Sequence, residues 1–513
     1  PGVNHGAFEG MASLTNVTFA SNNVTRIGAQ AFKGCSNLAT ISLPSSVSYI
    51  GKNAFENCSK LNNINLQNVS YIGDNAFKNA FKDIPTSSVE LNVEKANYVG
   101  AHAFENTSGL KTINFANNTV LQTVADSAFM SSGITSLDLS QATKLLTIGN
   151  SAFQSCTSLT EVKVPKSLTS FGNNVFGNVT TSNQTTTSTA TTSLTTIDLS
   201  ATQVTQLPAN LFQGCTSLSN VKLPSGLTSI GNNAFDGTTS LTSVNLPTGL
   251  TSIGESAFVN SGLTTIDLSS TTIQTINNAT FNGATRLETV KLPSTVTSIG
   301  QTAFQNTTSL TTIEIPSSVT SIGQSAFGSG NANQASAITA LDLSQTKIPS
   351  VPDNMVRNCA GLTTVKLPST VTSIGQSAFE GTTLLKTLTQ EKPAPTPATP
   401  SARAAGTNQL ASTLRSINNY AFKGTGLTSI DLSETQITGS GDTALGNSAF
   451  ENAVNLSDVT LPNGLTTISA ASFANTTSLK SITIPKTVTT INAGNSDFKG
   501  AFQGSGLESI DLS

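Results

Sequence analysis

One aromatic residue recurs along the whole chain at a nearly fixed interval, and this period limits the possible folds more than any other feature. When the sequence is aligned on its Ala-Phe pairs, 20 anchor positions emerge, and 19 of the 24 Phe residues occupy them. From Phe212 to Phe327 every interval is 23 residues, and Met355 is taken as the anchor that lacks Phe. A chain of 513 residues with such a period predicts stacked short units, because each unit then packs only on its neighbours. The Phe anchors are Phe8, Phe32, Phe55, Phe77, Phe104, Phe129, Phe153, Phe176, Phe212, Phe235, Phe258, Phe281, Phe304, Phe327, Phe379, Phe422, Phe450, Phe473 and Phe502.

Each repeat divides into the same parts, and residues 296–316 show them clearly. Apolar and polar side chains alternate over 310–315, which predicts a strand with one buried side, and Pro316 ends it. A second short extended piece spans 296–299, Gly300 permits a turn, and the residues up to Phe304 suit one helical turn that buries the ring. We therefore predict a leucine-rich-repeat solenoid, α/β or mostly β, with about 20 repeats of about 23 residues and a parallel sheet on one face.

The polarity of the chain comes from Ser, Thr and Asn rather than from charge. Charged residues make up 10% of the sequence, and the net charge of −3 gives no basic field for nucleic acid or an anionic membrane. No apolar run reaches the roughly 18 residues that a transmembrane helix needs. Twelve Asn-x-Ser/Thr sequons are interpreted as chance products of this composition. The sequence therefore predicts no nucleic-acid partner and no transmembrane segment.

The repeat pattern IGxxAFxxCxxLxxIxLPxxVTSIG resembles the leucine-rich repeats of the BspA-like family of surface proteins. Residues 150–176, 210–327 and 354–379 match this pattern most closely, and weaker copies cover nearly the whole chain. The resemblance implies secretion, attachment to a bacterial cell envelope, and adhesion to host or neighbouring cells. Some protist surface proteins also carry such repeats. The resemblance thus implies an extracellular or cell-surface location and an extracellular protein or cell-surface ligand as partner.

Both ends of the chain lie inside the repeat pattern. Residues 1–8 enter halfway through a repeat, and residues 509–513 stop at a strand. Terminal repeats of a solenoid need polar caps that cover the exposed core, and neither end resembles one. We therefore expect residues 1–513 to be a single solenoid that is a fragment of a longer protein, without its signal peptide, caps and anchor.

Four insertions lengthen the period, at residues 178–193, 328–337, 389–411 and 439–447. They are rich in small, polar or Pro residues and lack the apolar content of a core. We therefore predict surface loops. Binding loops remain the alternative, because long loops often carry function.

The sequence contains no grouping of residues that catalysis or metal binding would need. His5 and His102 are the two histidines, and they lie four repeats apart. The five cysteines are odd in number and scattered, at a position where other repeats hold Thr, Ala or Ser, so we interpret them as small buried residues. The sequence therefore predicts no enzyme, no metal site and no cofactor. The cysteines are Cys35, Cys58, Cys156, Cys215 and Cys359.

The outward residue of the predicted strand is charged in the middle of the chain. From Asp138 to Lys366 its sign nearly alternates from repeat to repeat. Opposite charges on adjacent strands contribute about 0.2–1 kcal/mol, so one interpretation is a self-neutralising ladder that keeps the sheet soluble. The other is a mixed-charge face for a protein partner, because a polyanion would need a single positive stripe. The candidate partner-binding residues are Lys163, Asp198, Lys222, Asp267 and Lys291.

Two classes of function follow. The leading hypothesis is a secreted or cell-surface protein that mediates protein–protein interaction, in particular adhesion, and it rests on the family resemblance and the large polar face. The alternative is a structural spacer or stalk that presents another domain at the cell surface. The absence of Trp and the presence of just four Tyr favour the spacer, because binding hot spots are enriched in aromatic residues and Arg.

Overall fold

In a computed structural model, the chain forms a parallel-strand solenoid of about 20 turns, which confirms the predicted leucine-rich-repeat fold. The structure describes residues 1–84, 89–178, 192–393 and 408–512. The chain divides into two compact units, Pro1–Leu263 and Thr264–Ser513, which we call unit 1 and unit 2. A repeat contains up to two short strands. We call the one that follows the anchor the first strand and the one that precedes the next Gly the second strand.

Unit 1 has its first strands in sheets of two to four and eight of its second strands in one continuous sheet. The first strands are Asn16–Val17, Thr40–Ile41, Asn63–Ile64, Val89–Asn92, Leu110–Asn114, Ser136–Asp138, Glu161–Lys163, Thr196–Asp198 and Asn220–Lys222. The second strands are Gly2–Val3, Arg26–Ile27, Tyr49–Ile50, Tyr71–Ile72, Tyr98–Val99, Thr123–Val124, Thr147–Ile148, Ser170–Phe171, Gln206–Leu207, Ser229–Ile230 and Ser252–Ile253.

Unit 2 has both kinds of strand in sheets of two or three. Its first strands are Thr265–Asp267, Thr289–Lys291, Ala340–Asp342, Thr364–Leu367, Thr387–Gln390, Ser429–Asp431, Asp458–Thr460, Ser481–Thr483 and Ser509–Asp511. Its second strands are Thr275–Ile276, Ser298–Ile299, Ser321–Ile322, Ser350–Val351, Ser373–Ile374, Ser416–Ile417, Thr467–Ile468 and Thr490–Ile491. Residues 310–315, predicted as a strand, form none, whereas the second strand predicted within 296–299 is present at Ser298–Ile299.

The anchor rings form stacks inside the core of each unit. In unit 1 the rings from Phe8 to Phe258 follow one another with centroid separations of 5.1–5.9 Å. In unit 2 the rings from Phe281 to Phe327 and from Phe379 to Phe502 stack at 5.1–5.5 Å. Most of these rings are fully buried. The 23-residue period therefore reflects one aromatic ring per repeat, placed directly above the last.

The segment around each anchor is a series of reverse turns, so the predicted helical turn is wrong. The amides of Gln30, Phe32 and Gly34 donate to carbonyls of the next repeat at 2.8–2.9 Å, while the intervening amides close turns within their own repeat. A helix would direct all of these amides along its own axis. Here Gln30 and Gly34 adopt φ values of 56° and 74°, a left-handed conformation that a helix excludes. We call the side of each repeat that carries these turns the turn side. Backbone hydrogen bonds thus join adjacent repeats on the turn side as well as between strands.

The repeat without an anchor Phe is centred on Val356 rather than on Met355, so that assignment is corrected by one residue. The Val356 amide donates to the Ala378 carbonyl at 3.0 Å, the bond that an anchor makes with the next repeat. Asn354 and Asn358 have φ values of 55° and 61°, and they flank Val356 symmetrically as left-handed residues flank the Phe anchors. Met355 is fully buried at the position that usually holds Ala.

Two of the predicted insertions, 328–337 and 439–447, lie entirely within the described residues. Each contains a short 3₁₀ helix, at Ala332–Gln334 and Gly441–Thr443. Leu445 returns to the core and is fully buried. None of the helices among the described residues has the length and apolar character needed to cross a membrane.

The central parts of the other two insertions, 179–191 and 394–407, lie outside the described residues. The described ends of the predicted 389–411 insertion are packed, because Gln390 is 7% exposed and Leu410 is fully buried. Packed repeats therefore extend into both ends of that insertion.

Candidate functional site

The outward residues of the first strands form ion pairs between adjacent repeats. Lys222 Nζ lies 3.1 Å from Asp198 Oδ2, and Lys291 Nζ lies 3.3 Å from Asp267 Oδ2. These four side chains are 52–63% exposed, so the pairs lie in solvent, where screening leaves them little net effect on stability. Parallel pairing sets this geometry, because Asp198 lies directly opposite Lys222 in the strand register.

Each aspartate of these pairs is also held by the Ser two residues further along the chain. Asp198 Oδ1 accepts hydrogen bonds from the Ser200 amide at 3.0 Å and from its hydroxyl at 2.5 Å. Asp267 is held in the same way by Ser269. The Ser hydrogen bonds and then the Lys charge lower the pKa of both aspartates. The sequence Asp-Leu-Ser followed by Lys one repeat later therefore forms an ion pair whose ionised aspartate is held in place by the Ser. We call this arrangement of Asp, Ser and Lys a clasp.

The structure brings four of the five candidate residues together as two pairs, Asp198 with Lys222 and Asp267 with Lys291. Lys163 instead lies 4.0 Å from Asp138 and 3.7 Å from Glu161. Within the described residues, no ion pair joins Lys163 to Asp198. The alternating ladder expected from the sequence thus consists of separate clasps, each of which joins two adjacent repeats. Three clasps contain candidate residues, and a fourth is formed by Asp342 and Lys366.

A stack of three tyrosines on neighbouring second strands of unit 1 was missed by the sequence analysis. The Tyr49 and Tyr71 rings lie 4.8 Å apart, and the Tyr71 and Tyr98 rings lie 4.6 Å apart, all nearly parallel. Tyr49 is 40% exposed and the other two are half-buried. Burial is the largest cause that raises the pKa of Tyr71 and of Tyr98, followed by neighbouring charge, including Asp74. The stack therefore offers hydroxyls and ring edges to a partner.

A sequence signal for this tyrosine stack exists. The segments Ser-Tyr-Ile-Gly at 48–51 and 70–73 and Asn-Tyr-Val-Gly at 97–100 place Tyr at one position in three successive repeats. Most other repeats hold Ser or Thr there. Counting tyrosines over the whole chain concealed this concentration, whereas comparing one repeat position along the array reveals it.

The cysteines lie at a structural position with a defined hydrogen bond. Each is free and buried, and its Sγ donates to the anchor carbonyl of the preceding repeat, as Cys58 does to Phe32 at 3.1 Å. Burial raises the pKa of Cys156 to about 11 and that of Cys215 and Cys359 to about 12. These thiols therefore stay protonated and unreactive at neutral pH.

The described residues also contain no group of three or more His, Cys, Asp or Glu side chains that could hold a metal ion.

The repeats match a known family along most of the chain. Residues 2–94, 78–203, 205–334, 330–394 and 406–513 match the model described as BspA type leucine rich repeat region, in six copies. A leucine-rich repeat protein from Bacteroides ovatus is 25% identical with a TM-score of 0.51, over 74% of this chain and 86% of that one. A leucine rich cell surface protein from Faecalibacterium prausnitzii is 19% identical with a TM-score of 0.33, over 77% and 83%. No curated protein gives a significant match.

Proposed function

The chain belongs to the BspA-type leucine-rich repeat family, and from this premise we propose that it is a non-enzymatic, secreted or cell-surface protein that binds a protein partner in adhesion to host or neighbouring cells. The observation that carries the proposal is the exposed, mixed-charge face of the first strands. The proposed contact residues are Lys163, Asp198, Lys222, Asp267 and Lys291.

The charge geometry supports a protein partner over a polyanion. Each lysine of the face has a carboxylate within 4.0 Å, so the face has no unbalanced positive stripe. Fixed charges of both signs set register and association rate when they meet a complementary protein surface. The tyrosine stack adds the type of residue in which binding hot spots are enriched, and this supports binding over a purely structural role.

The test displays the whole array on a non-adherent cell and measures attachment to extracellular matrix proteins. Reversing Lys222 and Lys291 to Glu places like charges beside Asp198 and Asp267, and we expect attachment to slow at least tenfold at low salt. The control reverses Lys144 and Lys347, which are exposed and lie outside the strands. Attachment that is equal for wild type and the Lys222/Lys291 variant would exclude this face.

The spacer is the second candidate, and the clasps themselves favour it, because paired charges keep a sheet soluble without any partner. A spacer predicts that attachment is indifferent to charge reversal and depends on the number of repeats. A shortened array displayed beside the full one separates the two functions. A wild-type array that attaches to nothing, while domains placed at its end do so in proportion to its length, would establish the spacer.

A further inference from the structure

Three turns of the array share the sequence Leu-Pro-x-Gly-Leu, and one of them has Asn before the Gly. In all three turns the amide of the second Leu donates to the Pro carbonyl at 3.1 Å. The residue before the Gly is Ser225, Thr248 or Asn463. In an Asn–Gly pair the Gly nitrogen reaches the Asn side chain easily, because Gly has no Cβ to hinder the approach. The third turn therefore places a reactive pair in a backbone that the other two turns build with unreactive residues.

The reacting atoms of this pair are accessible. Asn463 and Gly464 are both exposed. Among the described residues, neither the Asn463 side-chain amide nor the Gly464 backbone amide has a hydrogen-bond partner. The surroundings of Gly464 are also open, since a Cβ placed there would have Thr438 Cγ2 as its nearest described neighbour, at 3.8 Å. The Gly464 nitrogen can therefore approach Asn463 Cγ without breaking a hydrogen bond of its own.

A hydroxyl of the next repeat polarises the peptide bond whose nitrogen would attack. Thr487 Oγ1 lies 2.8 Å from the Asn463 carbonyl oxygen and 2.7 Å from the Leu465 carbonyl oxygen, so the two carbonyls share its single proton. The Asn463 carbonyl and the Gly464 N–H belong to one peptide unit. A hydrogen bond to that oxygen therefore favours the negative charge that forms when the Gly464 nitrogen loses its proton.

The second Asn–Gly pair of the sequence, Asn282–Gly283, lies in a protected setting. The Gly283 amide donates to the Gln305 carbonyl at 3.0 Å, and Asn282 Nδ2 donates to Gln305 Oε1 at 3.4 Å. Gly283 is also buried and has a φ of 75°. Attack by its nitrogen would break both hydrogen bonds to the next repeat. The two pairs thus have the same residue types and opposite environments.

We infer that Asn463 is a site of spontaneous deamidation, at which the Gly464 nitrogen attacks Asn463 Cγ and the side-chain amide leaves as ammonia. The attacking nitrogen gives up its proton, the departing amide takes one up, and the product is a five-membered succinimide. One water molecule then opens the ring at either carbonyl. Opening at one carbonyl gives Asp, and opening at the other gives isoaspartate, in which the main chain runs through the former side chain. The inference goes beyond the proposed function and does not depend on it.

The isoaspartate product would alter the packing of its repeat. Its main chain contains one more carbon atom between residues 463 and 464, inside the turn that the hydrogen bond from Leu465 to Pro462 closes at 3.1 Å. Leu465 is fully buried, so a longer turn displaces a core side chain. The Asp product keeps the original backbone and adds only a charge. Deamidation therefore loosens the array at one defined repeat as the protein ages.

The experiment incubates the full chain at mildly alkaline pH and follows both Asn–Gly pairs by peptide mapping with mass spectrometry. In the folded protein we expect Asn463 to react at least tenfold faster than Asn282 and to give isoaspartate as well as Asp. In denaturant the two rates should converge, because both environments are lost. Thr487→Val should slow the reaction at Asn463 at least twofold in the folded protein and leave the rate in denaturant unchanged.

Hydrogen exchange tests the effect on the turn. We expect the Leu465 amide to exchange at least tenfold faster in protein that contains isoaspartate than in fresh protein. Asn463→Asp, which has the charge without the longer backbone, is the control and should exchange as fresh protein does. Equal rates at Asn463 and Asn282 in the folded chain, or a product without isoaspartate, would overturn the inference. An unchanged rate in Thr487→Val, or unchanged exchange at Leu465 after ageing, would overturn the roles given to Thr487 and to the turn.

Discussion

The turn side and the first-strand side of the repeats are built from the same 23-residue unit, yet they differ in continuity. On the turn side, backbone amides bridge successive repeats and the anchor rings stack at 5.1–5.9 Å within unit 1. On the first-strand side, the sheets contain two to four strands and are broken even where the period is regular, as between Thr289–Lys291 and residues 312–316. The turn side therefore joins successive repeats within each unit, whereas the first-strand side pairs no more than four repeats at a time.

The places where second-strand pairing stops show what each side tolerates. Within the described residues, second-strand pairing stops beside the insertions 178–193, 328–337 and 439–447 but continues across 389–411, where Ser373–Ile374 pairs with Ser416–Ile417. First-strand sheets also end between repeats of unchanged length. The length of the connecting segment therefore does not by itself decide where pairing stops, because first strands pair across the insertion 178–193, as Glu161–Lys163 does with Thr196–Asp198.

The largest effect is expected on the turn side, from Phe235→Ala. Phe235 is fully buried and stacks on Phe212 at 5.4 Å and on Phe258 at 5.2 Å. Removing the ring leaves a cavity, and such changes cost about 3–5 kcal/mol. Thermal unfolding measures the loss, and hydrogen exchange at the turn amides of the three repeats locates it. Phe235→Leu, which retains much of the volume, is the control, and unchanged melting of the Ala variant would contradict the aromatic core.

A smaller effect is expected at the tyrosine stack, from Tyr71→Ser. This change installs the residue that many repeats hold at that position and removes two ring contacts, at 4.8 Å and 4.6 Å. Aromatic pairs contribute about 0.5–1.5 kcal/mol beyond burial, so we expect a loss of about 1 kcal/mol in unfolding free energy. If stability falls as far as in Phe235→Ala, the distinction between core and surface stacking fails. Ser229→Tyr, an isolated Tyr at the same repeat position, is the control for the residue type.

The smallest effect is expected on the first-strand side, from Asp198→Asn. The clasp is exposed, so at neutral pH the loss should be about 0.2–1 kcal/mol. Because folding lowers the pKa of Asp198, its stabilisation is present above the unfolded value near 3.9 and disappears as the pH falls through the folded value. Denaturant unfolding at pH 7 and pH 3 should therefore show a difference from wild type that shrinks in acid. Asp458→Asn, with no ion pair among the described residues, is the control, and a difference that grows in acid would contradict the clasp.

The features that could be predicted from the sequence are those that a local period encodes. The anchor spacing, the second strands and the burial of Phe and Cys all follow from residue type at a repeat position. The turn conformation could not be predicted in this way, because Gln30 and Gly34 are held left-handed by hydrogen bonds between repeats. The misplacement of Met355 was avoidable, because Val356 lies 23 residues before Phe379 and three before Cys359, which is the spacing of the other anchors.

The candidate site was predictable in composition but not in arrangement. The sign of each outward charge is legible in the sequence, and the structure confirms that Asp198 and Lys222 are opposite each other. Lys163 contacts Asp138 and Glu161 rather than Asp198. The strand register places Lys163 opposite Asp138, whereas its pairing toward the Asp198 strand stops one residue earlier, at Val162 and Ile197. Where the pairing of a strand stops depends on several repeats at once, so residue types at one repeat position do not reveal it.

The left-handed turn positions have a consequence for producing the protein. The second of these positions is often Asn or Gly. Where it is Asn and a Ser or Thr stands two residues later, as at Asn106 and Asn475, the turn carries a sequon. The Asn106 side-chain nitrogen donates to Asn79 at 2.7 Å, and that of Asn475 donates to Asn452 at 2.8 Å. A eukaryotic secretion host that attached glycans to the nascent chain would occupy these nitrogens before the repeats could stack. Recombinant material for any of these measurements is therefore best made in a cell that does not glycosylate asparagine.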